Sequence, residues 1–358
     1  MDKQLRTGRT TGTCAAAAAM AGIRFLIAGE RPDAVDAPLP PGGFLTVPIE
    51  RIAPEGNEVR TTVIKDGGDD PDATHGHEIQ AVVRLDPDGP TPPAVTLEGG
   101  KGVGRATLPG LPVNVGEAAI NPDPRRQIEK AVRLAASGLE SGRILVTIEV
   151  PEGEAIAKKT MNPRLGIVGG ISILGTHGIV KPYSHASWMA TIDEGLSVAR
   201  AQGLDLAVMT TGRRSERLYQ ETRPGTPETA LIQAADFFEF SMRSAADHGF
   251  GRVAWSVFFG KLVKQAQGLP YTHAGTYPVD FGLLAQRSLE TGCDPVHEPI
   301  IRTANTARQV LDLLKNDPAR PALVARLAAL AKKAAEAFSD DRVAVEYLVF
   351  DFDGERLF

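Results

Sequence analysis

The stretch TMNPRLGIVGGISILGTHGIVKPYS, residues 160–184, intersperses glycine with branched apolar residues and closes on Lys-Pro. Glycine reaches positive φ without strain and puts no side chain in the way, so such a segment brings backbone close to a ligand or to another piece of chain. Gly169, Gly170, Gly175 and Gly178 therefore carry two readings, ligand contact and close packing at a seam between domains. The seam reading follows from position, because the pattern of the chain changes across this segment.

Upstream, residues 14–28 are alanine-rich and should be helical, capped by Thr11 or Thr13 and stopped by Gly29. The proline-rich passages 31–43 and 86–95 read as surface loops. Residues 59–64, 78–85 and 94–97 carry β-branched side chains and read as strands. Asp123 and Pro124 open a helix whose apolar face is Ile128, Ala131, Val132 and Ala135. Residues 144–150 and 154–160, joined by Pro-Glu-Gly, read as a hairpin. Downstream, helical stripes alternate with short, continuously apolar strands. Trp188, Ile192, Leu196 and Ala199 precede LDLAVMTT, and Leu231, Ala235, Phe238 and Met242 precede RVAWSVF. Ala307, Val310, Leu311 and Leu314, then Leu323, Leu327, Leu330 and Ala334, form two more stripes before a strand at 343–350. The expectation is an α/β protein with an α+β domain at 1–181, bearing anion-binding loops, and a Rossmann-like domain at 182–358. In the second, ligands lie beyond the carboxyl ends of a mainly parallel sheet.

The length of 358 residues fits two cores, and 42% hydrophobic with 23% charged residues is the composition of a folded globular chain. A net charge of −5 argues against a general nucleic-acid binder, so an anionic ligand must be met by local Arg and Lys. Two cysteines, Cys14 and Cys293, make neither a disulfide framework nor a metal set. Lys3, Arg6 and Arg9 ahead of the alanine run resemble a secretory signal. Arg24 interrupts the run, however, and the apolar stretch is short, so a cytoplasmic protein without a membrane partner is expected.

Five segments can carry chemistry. LRTGRTTGTCAAAAA, 5–19, places Arg6, Arg9, Thr10 and Thr11 at a helix start suited to a carboxylate or phosphate, or simply to capping. KDGGDDPDATHGHE, 65–78, crowds Asp69, Asp70 and His75 with further acids. That composition suits proton exchange, divalent metal, or a polar turn bonding its own backbone. EGGKGVGRATLPGL, 98–111, offers Lys101 and Arg105 within glycines, as an anion cradle without Walker spacing or as a structural loop. MTTGRRSE, 209–216, sets Thr210, Thr211, Gly212, Arg213 and Arg214 at a strand end, and SVFFGKLVK, 256–264, sets Gly260 and Lys261 at another. Lys264 reads as a solvated helix residue, and His273 as a loop histidine.

Together with NPRLGIVGGISILGTHGIVKPYS and ANTA, these blocks resemble the cobalt-precorrin-5B C(1)-methyltransferase family, the CbiD type of cobalamin biosynthesis, in order along most of the chain. The resemblance implies methyl transfer from S-adenosylmethionine to C-1 of a cobalt-containing tetrapyrrole, with cobalt arriving in the substrate and no metal ligands from the protein. WSVFF at 255–259, YTHA at 271–274 and His177 depart from the family pattern. On this reading Arg6, Arg9, Thr10, Thr11, Lys101, Arg105 and Lys181 meet the substrate's carboxylate arms. Gly169, Gly170, Thr210, Thr211, Gly212, Arg213 and Gly260 meet S-adenosylmethionine, and Asp69, Asp70 or His75 moves any ring proton. The two ligands are expected at the domain junction, and homo-oligomerisation or transient contact with neighbouring pathway enzymes stays open. A Mg²⁺-dependent phosphotransferase using the glycine loops and a non-catalytic corrinoid carrier are the competing readings.

Overall fold

The alanine run forms α1 (Thr11–Ala28), which begins at Thr10, whose Oγ1 accepts from the Thr13 N–H at 3.2 Å. It ends at Gly29 in the left-handed conformation, φ 70°. The cap is Thr10 rather than Thr11 or Thr13, because those two hydroxyls bond the carbonyls of Leu174 and Gly178. Small side chains allow α1 to be enclosed, and Cys14 to Ala19 have no exposed surface. Its length and apolar composition match those of a membrane-crossing helix, yet 72% of it is buried within the protein. Enclosure accounts for that composition. The computed structural model describes residues 5–358 and falls into two compact units, Met1–His185 and Ala186–Phe358.

In the first unit the strands longer than two residues are β1 (Ala34–Pro38), β2 (Phe44–Pro48), β3 (Arg51–Glu55), β4 (Glu58–Ile64), β5 (Glu78–Asp86), β6 (Ala94–Gly99) and β7 (Arg143–Glu149). The helices that join α1 are α2 (Pro122–Ala135) and the short α3 (Gly153–Ala157). Five strands form one sheet in the order β3-β4-β5-β7-β6, antiparallel except for the β7–β6 pair. Register sets Val59 beside Val83 and Val83 beside Val146, all without exposed surface. α1 lies on this face through Gly22, where a Cβ would come within 2.9 Å of Val83 Cγ2.

Two expectations fail here. The proline-rich passage 31–43 contains β1, paired antiparallel with β2, and its prolines sit at the strand's end, where they cost no ladder hydrogen bond. The expected hairpin is absent. Residues 153–157 form α3, because both edges of β7 are already paired with β5 and β6 and no edge remains for a returning strand.

The second unit contains α4 (His185–Ala201), β8 (Leu206–Thr210), α5 (Arg213–Thr222), β9 (Leu231–Gln233), α6 (Phe238–Asp247), β10 (Arg252–Phe258) and α7 (Phe259–Ala266). It continues with α8 (Phe281–Glu290), α9 (Glu298–Arg302), α10 (Ala307–Leu313), α11 (Arg320–Phe338) and β11 (Ala344–Phe350). The sheet is wholly parallel, in the order β9-β8-β10-β11. Val208, Ala254 and Leu348 pack on one face with Leu218 and Tyr219 of α5. Met209, Val253 and Trp255 pack on the other with Met242, Leu262 and Leu327. Burial on both faces is why these strands read as unbroken apolar runs.

Leu231 and Ala235 do not belong to a helix. Leu231 starts β9, Ala235 turns at φ 49°, and α6 begins only at Phe238. A short apolar run suits either state, and pairing with β8 decides it. Of the α4 stripe, Ile192, Leu196 and Ala199 are buried, whereas Trp188 is 45% exposed and donates from Nε1 to the Gln233 carbonyl. Cys14 and Cys293 are buried free thiols, and burial pushes Cys14 up to about 12.

Candidate functional site

From β8 the chain crosses to β9 on one side and then to β10 on the other, so strand order reverses between β8 and β10. Such a reversal opens a crevice at the carboxyl ends of the strands. A cleft of about 710 Å³ lies there, within the usual range for small-molecule sites. The β8–α5 turn, residues 211–215, and the β10–α7 turn, residues 258–261, form two of its walls. The start of α10, the segment preceding α8, and Phe352 complete the lining. Ser215 ties the first wall together, accepting from the Thr211 N–H at 3.0 Å and donating to the Gly212 carbonyl at 2.9 Å.

The lining is apolar at Phe258, Phe259, Val279 and Phe281 and cationic at Arg213, Arg214, Lys261, Lys264 and Arg308. Lys261 donates to the Asp236 carboxylate and, at 3.2 Å, to the Thr272 carbonyl. Burial and then the charge of Lys264 lower Lys261 to about 8, while Asp236 favours its charged form. Lys264 is 7% exposed and donates to the carbonyls of Thr272 and Tyr277 at 3.1 and 2.7 Å. It is thus an inward-facing cation and not a solvated residue, and burial lowers its pKa. The Arg214 and Arg308 guanidiniums lie over Phe352 at 4.8 and 4.2 Å from the ring centroid.

Of the residues expected to hold the donor, Thr211, Gly212, Arg213 and Gly260 reach this cleft. Thr210 does not, since it has no exposed surface and its hydroxyl bonds the Ile232 carbonyl. Gly169 and Gly170 belong to the first unit, where a Cβ on Gly170 would lie 2.1 Å from the Gly102 carbonyl oxygen. Sequence reasoning missed Asp236, Arg308 and Phe352. Only Arg308 carried a local signal, following the Asn-Thr pair whose Thr306 caps α10. The WSVFF departure divides: Trp255 is core, while Phe258 and Phe259 line the cleft. In YTHA, His273 Nδ1 accepts from the Gly275 N–H at 3.2 Å.

In the first unit the arginine–threonine segment threads against the acidic turn, and most of its polar groups bond within that unit. Thr10 and Thr11 serve as cap and tie, so their hydroxyls are committed. Arg6 pairs with Asp66 through its side chain, and its N–H donates to Asp69 at 2.7 Å. The Arg6 hydrogen bond, with a further bond from the Gly68 N–H, holds the Asp66 carboxyl at about 2 against the effect of burial. Asp70 accepts from the Tyr183 N–H at 2.9 Å, and His75 Nδ1 accepts from the Gly67 N–H at 2.9 Å. Arg9 keeps a buried Nε without a hydrogen-bond partner. Among the described residues, no three His, Cys, Asp or Glu side chains converge on a metal position.

Lys101, Arg105 and Lys181 are exposed, with Arg105 donating to the Gly116 carbonyl at 3.0 Å. The glycine loop around Lys101 is filled by protein and not open to a phosphate. A Cβ on Gly102 would meet the Val150 oxygen at 1.9 Å, and one on Gly104 would meet Ile167 Cγ2 at 2.3 Å.

This is a two-unit α/β protein with a cation-lined cleft at the switch point of a doubly wound sheet. The family model described as CbiD matches residues 1–182, and that described as CbiD, C-terminal domain, matches residues 271–358. A cobalt-precorrin-5B C(1)-methyltransferase from Nitratidesulfovibrio vulgaris is 50% identical over 361 residues, covering 99% of this chain and 92% of that protein. The protein of the same name from Geobacillus kaustophilus is 47% identical, covering 87% of this chain and 83% of its own. A crystal structure of the cobalamin biosynthesis protein cbiD from Archaeoglobus fulgidus shares 31% identity over 74% of this chain and 80% of that chain, with a TM-score of 0.40. The chain belongs to the CbiD family.

Proposed function

We propose that this protein transfers the methyl group of S-adenosylmethionine to C-1 of cobalt-precorrin-5B, giving cobalt-precorrin-6A in cytoplasmic cobalamin biosynthesis. The observation that carries this reading is the 50% identity to a methyltransferase of that name over 99% of the chain. In the reaction the acceptor carbon supplies the electron pair of the new C–C bond. Sulfur takes the pair of the broken C–S bond and leaves as a neutral thioether, and the methylated macrocycle gives up one proton to solvent, so that its net gain is CH₂. Such an in-line displacement requires alignment of the two reactants and exclusion of water more than acid or base groups from the enzyme. Cobalt is part of the substrate. The filled glycine loop at 99–104 gives no support to a phosphotransferase.

Incubation of the purified protein with S-adenosylmethionine and cobalt-precorrin-5B should yield S-adenosylhomocysteine and a corrinoid heavier by one CH₂, in equal amounts, by mass spectrometry. Binding of both without turnover would leave a corrinoid carrier as the better description.

A further inference from the structure

The cleft of the second unit is lined by five cationic side chains, Arg213, Arg214, Lys261, Lys264 and Arg308, together with apolar ones, and no carboxylate lines it. Two acids lie behind these cations. Asp236 pairs with Lys261, and Asp312 approaches Arg308 at 3.7 Å with its own side chain 69% exposed. An exposed pair of that kind neutralises little. The cleft therefore presents an excess of positive charge to whatever enters it.

That excess distinguishes the two ligands of the proposed reaction. S-adenosylmethionine carries one carboxylate against an ammonium and a sulfonium, so its net charge is positive, and a cationic pocket without an acid opposes it. A tetrapyrrole with acetate and propionate arms has a flat apolar centre and a rim of carboxylates. The cleft lining combines the complementary chemistries, the apolar Phe258, Phe259 and Phe281 with five cations. Arg214 and Arg308 both line the cleft and both stack on the Phe352 ring. A guanidinium held over an aromatic ring keeps its N–H edge free for bidentate carboxylate bonds.

We infer that the switch-point cleft of the second unit holds the carboxylate-bearing edge of the macrocycle rather than the methyl donor, and that Arg213, Arg214 and Arg308 are specificity-determining residues for its arms. This rests on the proposed reaction for the identity of the macrocycle. It reverses the expectation from sequence that residues 210–213 and Gly260 take S-adenosylmethionine. The first unit bears on it too, since Thr10, Thr11, Arg6 and Asp69, expected at the macrocycle, are bonded to their own unit.

The full-length protein is titrated with dicyanocobyrinic acid, whose arms are carboxylates, with dicyanocobinamide, whose arms are amides, and with S-adenosylhomocysteine. The wild type should bind the acid at least about tenfold more tightly than the amide, with affinity falling as salt rises. An Arg214→Gln/Arg308→Gln variant with an unchanged melting curve should lose about tenfold for the acid and keep its affinity for S-adenosylhomocysteine within about twofold. Arg213→Gln, at an exposed side chain, provides a second variant with the same direction of change. Loss of S-adenosylhomocysteine affinity with the corrinoid unaffected, parallel loss of both, or no change in either overturns the inference. Wild-type turnover judges the reaction separately. Turnover with corrinoid affinity indifferent to these variants removes the site and leaves the reaction. A carboxylate preference without turnover removes the reaction and leaves the site.

Discussion

The Lys65 side chain is 2% exposed, and its ammonium donates to the carboxylate of Asp72. Asp72 also accepts at Oδ1 from the Thr74 N–H at 2.8 Å and from its hydroxyl. Burial alone would raise the Asp72 carboxyl, but the charge of Lys65 and these hydrogen bonds bring it below the ordinary carboxylate value. One of the acids that crowd this turn is thus bound to a buried lysine seven residues before it in the chain.

Removal of one partner should cost more than removal of both. Asp72→Ala leaves a buried ammonium uncompensated, with a loss of about 3–5 kcal/mol in urea unfolding. Lys65→Met combined with Asp72→Ala should recover a substantial part of that loss. Equal losses in the single and double variants would show that the pair itself is not the source.

Gly169 and Gly170 are neighbours in sequence and differ in what surrounds them. Gly169 sits at φ 83° with nothing within 4 Å of a Cβ, whereas a Cβ on Gly170 meets backbone of Gly102. Gly169→Ala should therefore cost only the left-handed strain, about 1–2 kcal/mol. Gly170→Ala should cost on the order of 3 kcal/mol, since backbone must move. Thermal unfolding of the two variants measures the difference.

Acid stability should depend on Asp66. Its folded pKa near 2 lies below the unfolded value of about 3.9, so its contribution is complete above that value and is lost as pH falls from about 4 to about 2. Asp66→Asn should be less stable than the wild type at neutral pH, and the gap should close toward pH 2. A gap that stays constant across that window would remove Asp66 as its cause.

Lys261 titrates in the opposite range. With a folded pKa of about 8 against about 10.4 unfolded, the unfolded chain holds the extra proton between these values, so stability rises with pH there. In the folded protein its charge at the cleft disappears around pH 8. Affinity for dicyanocobyrinic acid should fall from pH about 7 to pH about 9, and Lys261→Arg should flatten that profile.

The acidic turn provides a further test. Asp70 and His75 hold the backbone of Tyr183 and Gly67, and the His75 side chain is 51% exposed. Asp70→Asn and His75→Ala should keep methyl-transfer turnover within about threefold while lowering stability by about 1 kcal/mol each. Loss of turnover by more than about 100-fold in a folded variant would restore proton transfer to this turn.

Much of the architecture was legible because it rests on local chemistry. Alanine propensity, Gly29 and the β-branched runs placed α1 and the strands β4 to β6, and unbroken apolar segments pointed to the parallel sheet. The failures share a cause. Whether 154–160 returns as a strand depends on the edges of β7, and whether Leu231 is strand or helix depends on pairing with β8. Neither edge is written in the residues concerned.

The candidate site divides in the same way. Sequence by itself determined the family and the two strand ends that wall the cleft, since those depend on motifs and on apolar runs followed by glycine. Tertiary structure alone decided which polar groups remain free for a ligand. It bonded the Thr10 hydroxyl to the Thr13 N–H, turned Thr11 and Thr210 inward to backbone carbonyls, brought Lys264 in from the helix surface, and set Arg308 and Phe352 beside Arg214 from distant parts of the chain. A side chain's availability is settled by the partners that folding puts next to it, and those partners lie far away in sequence.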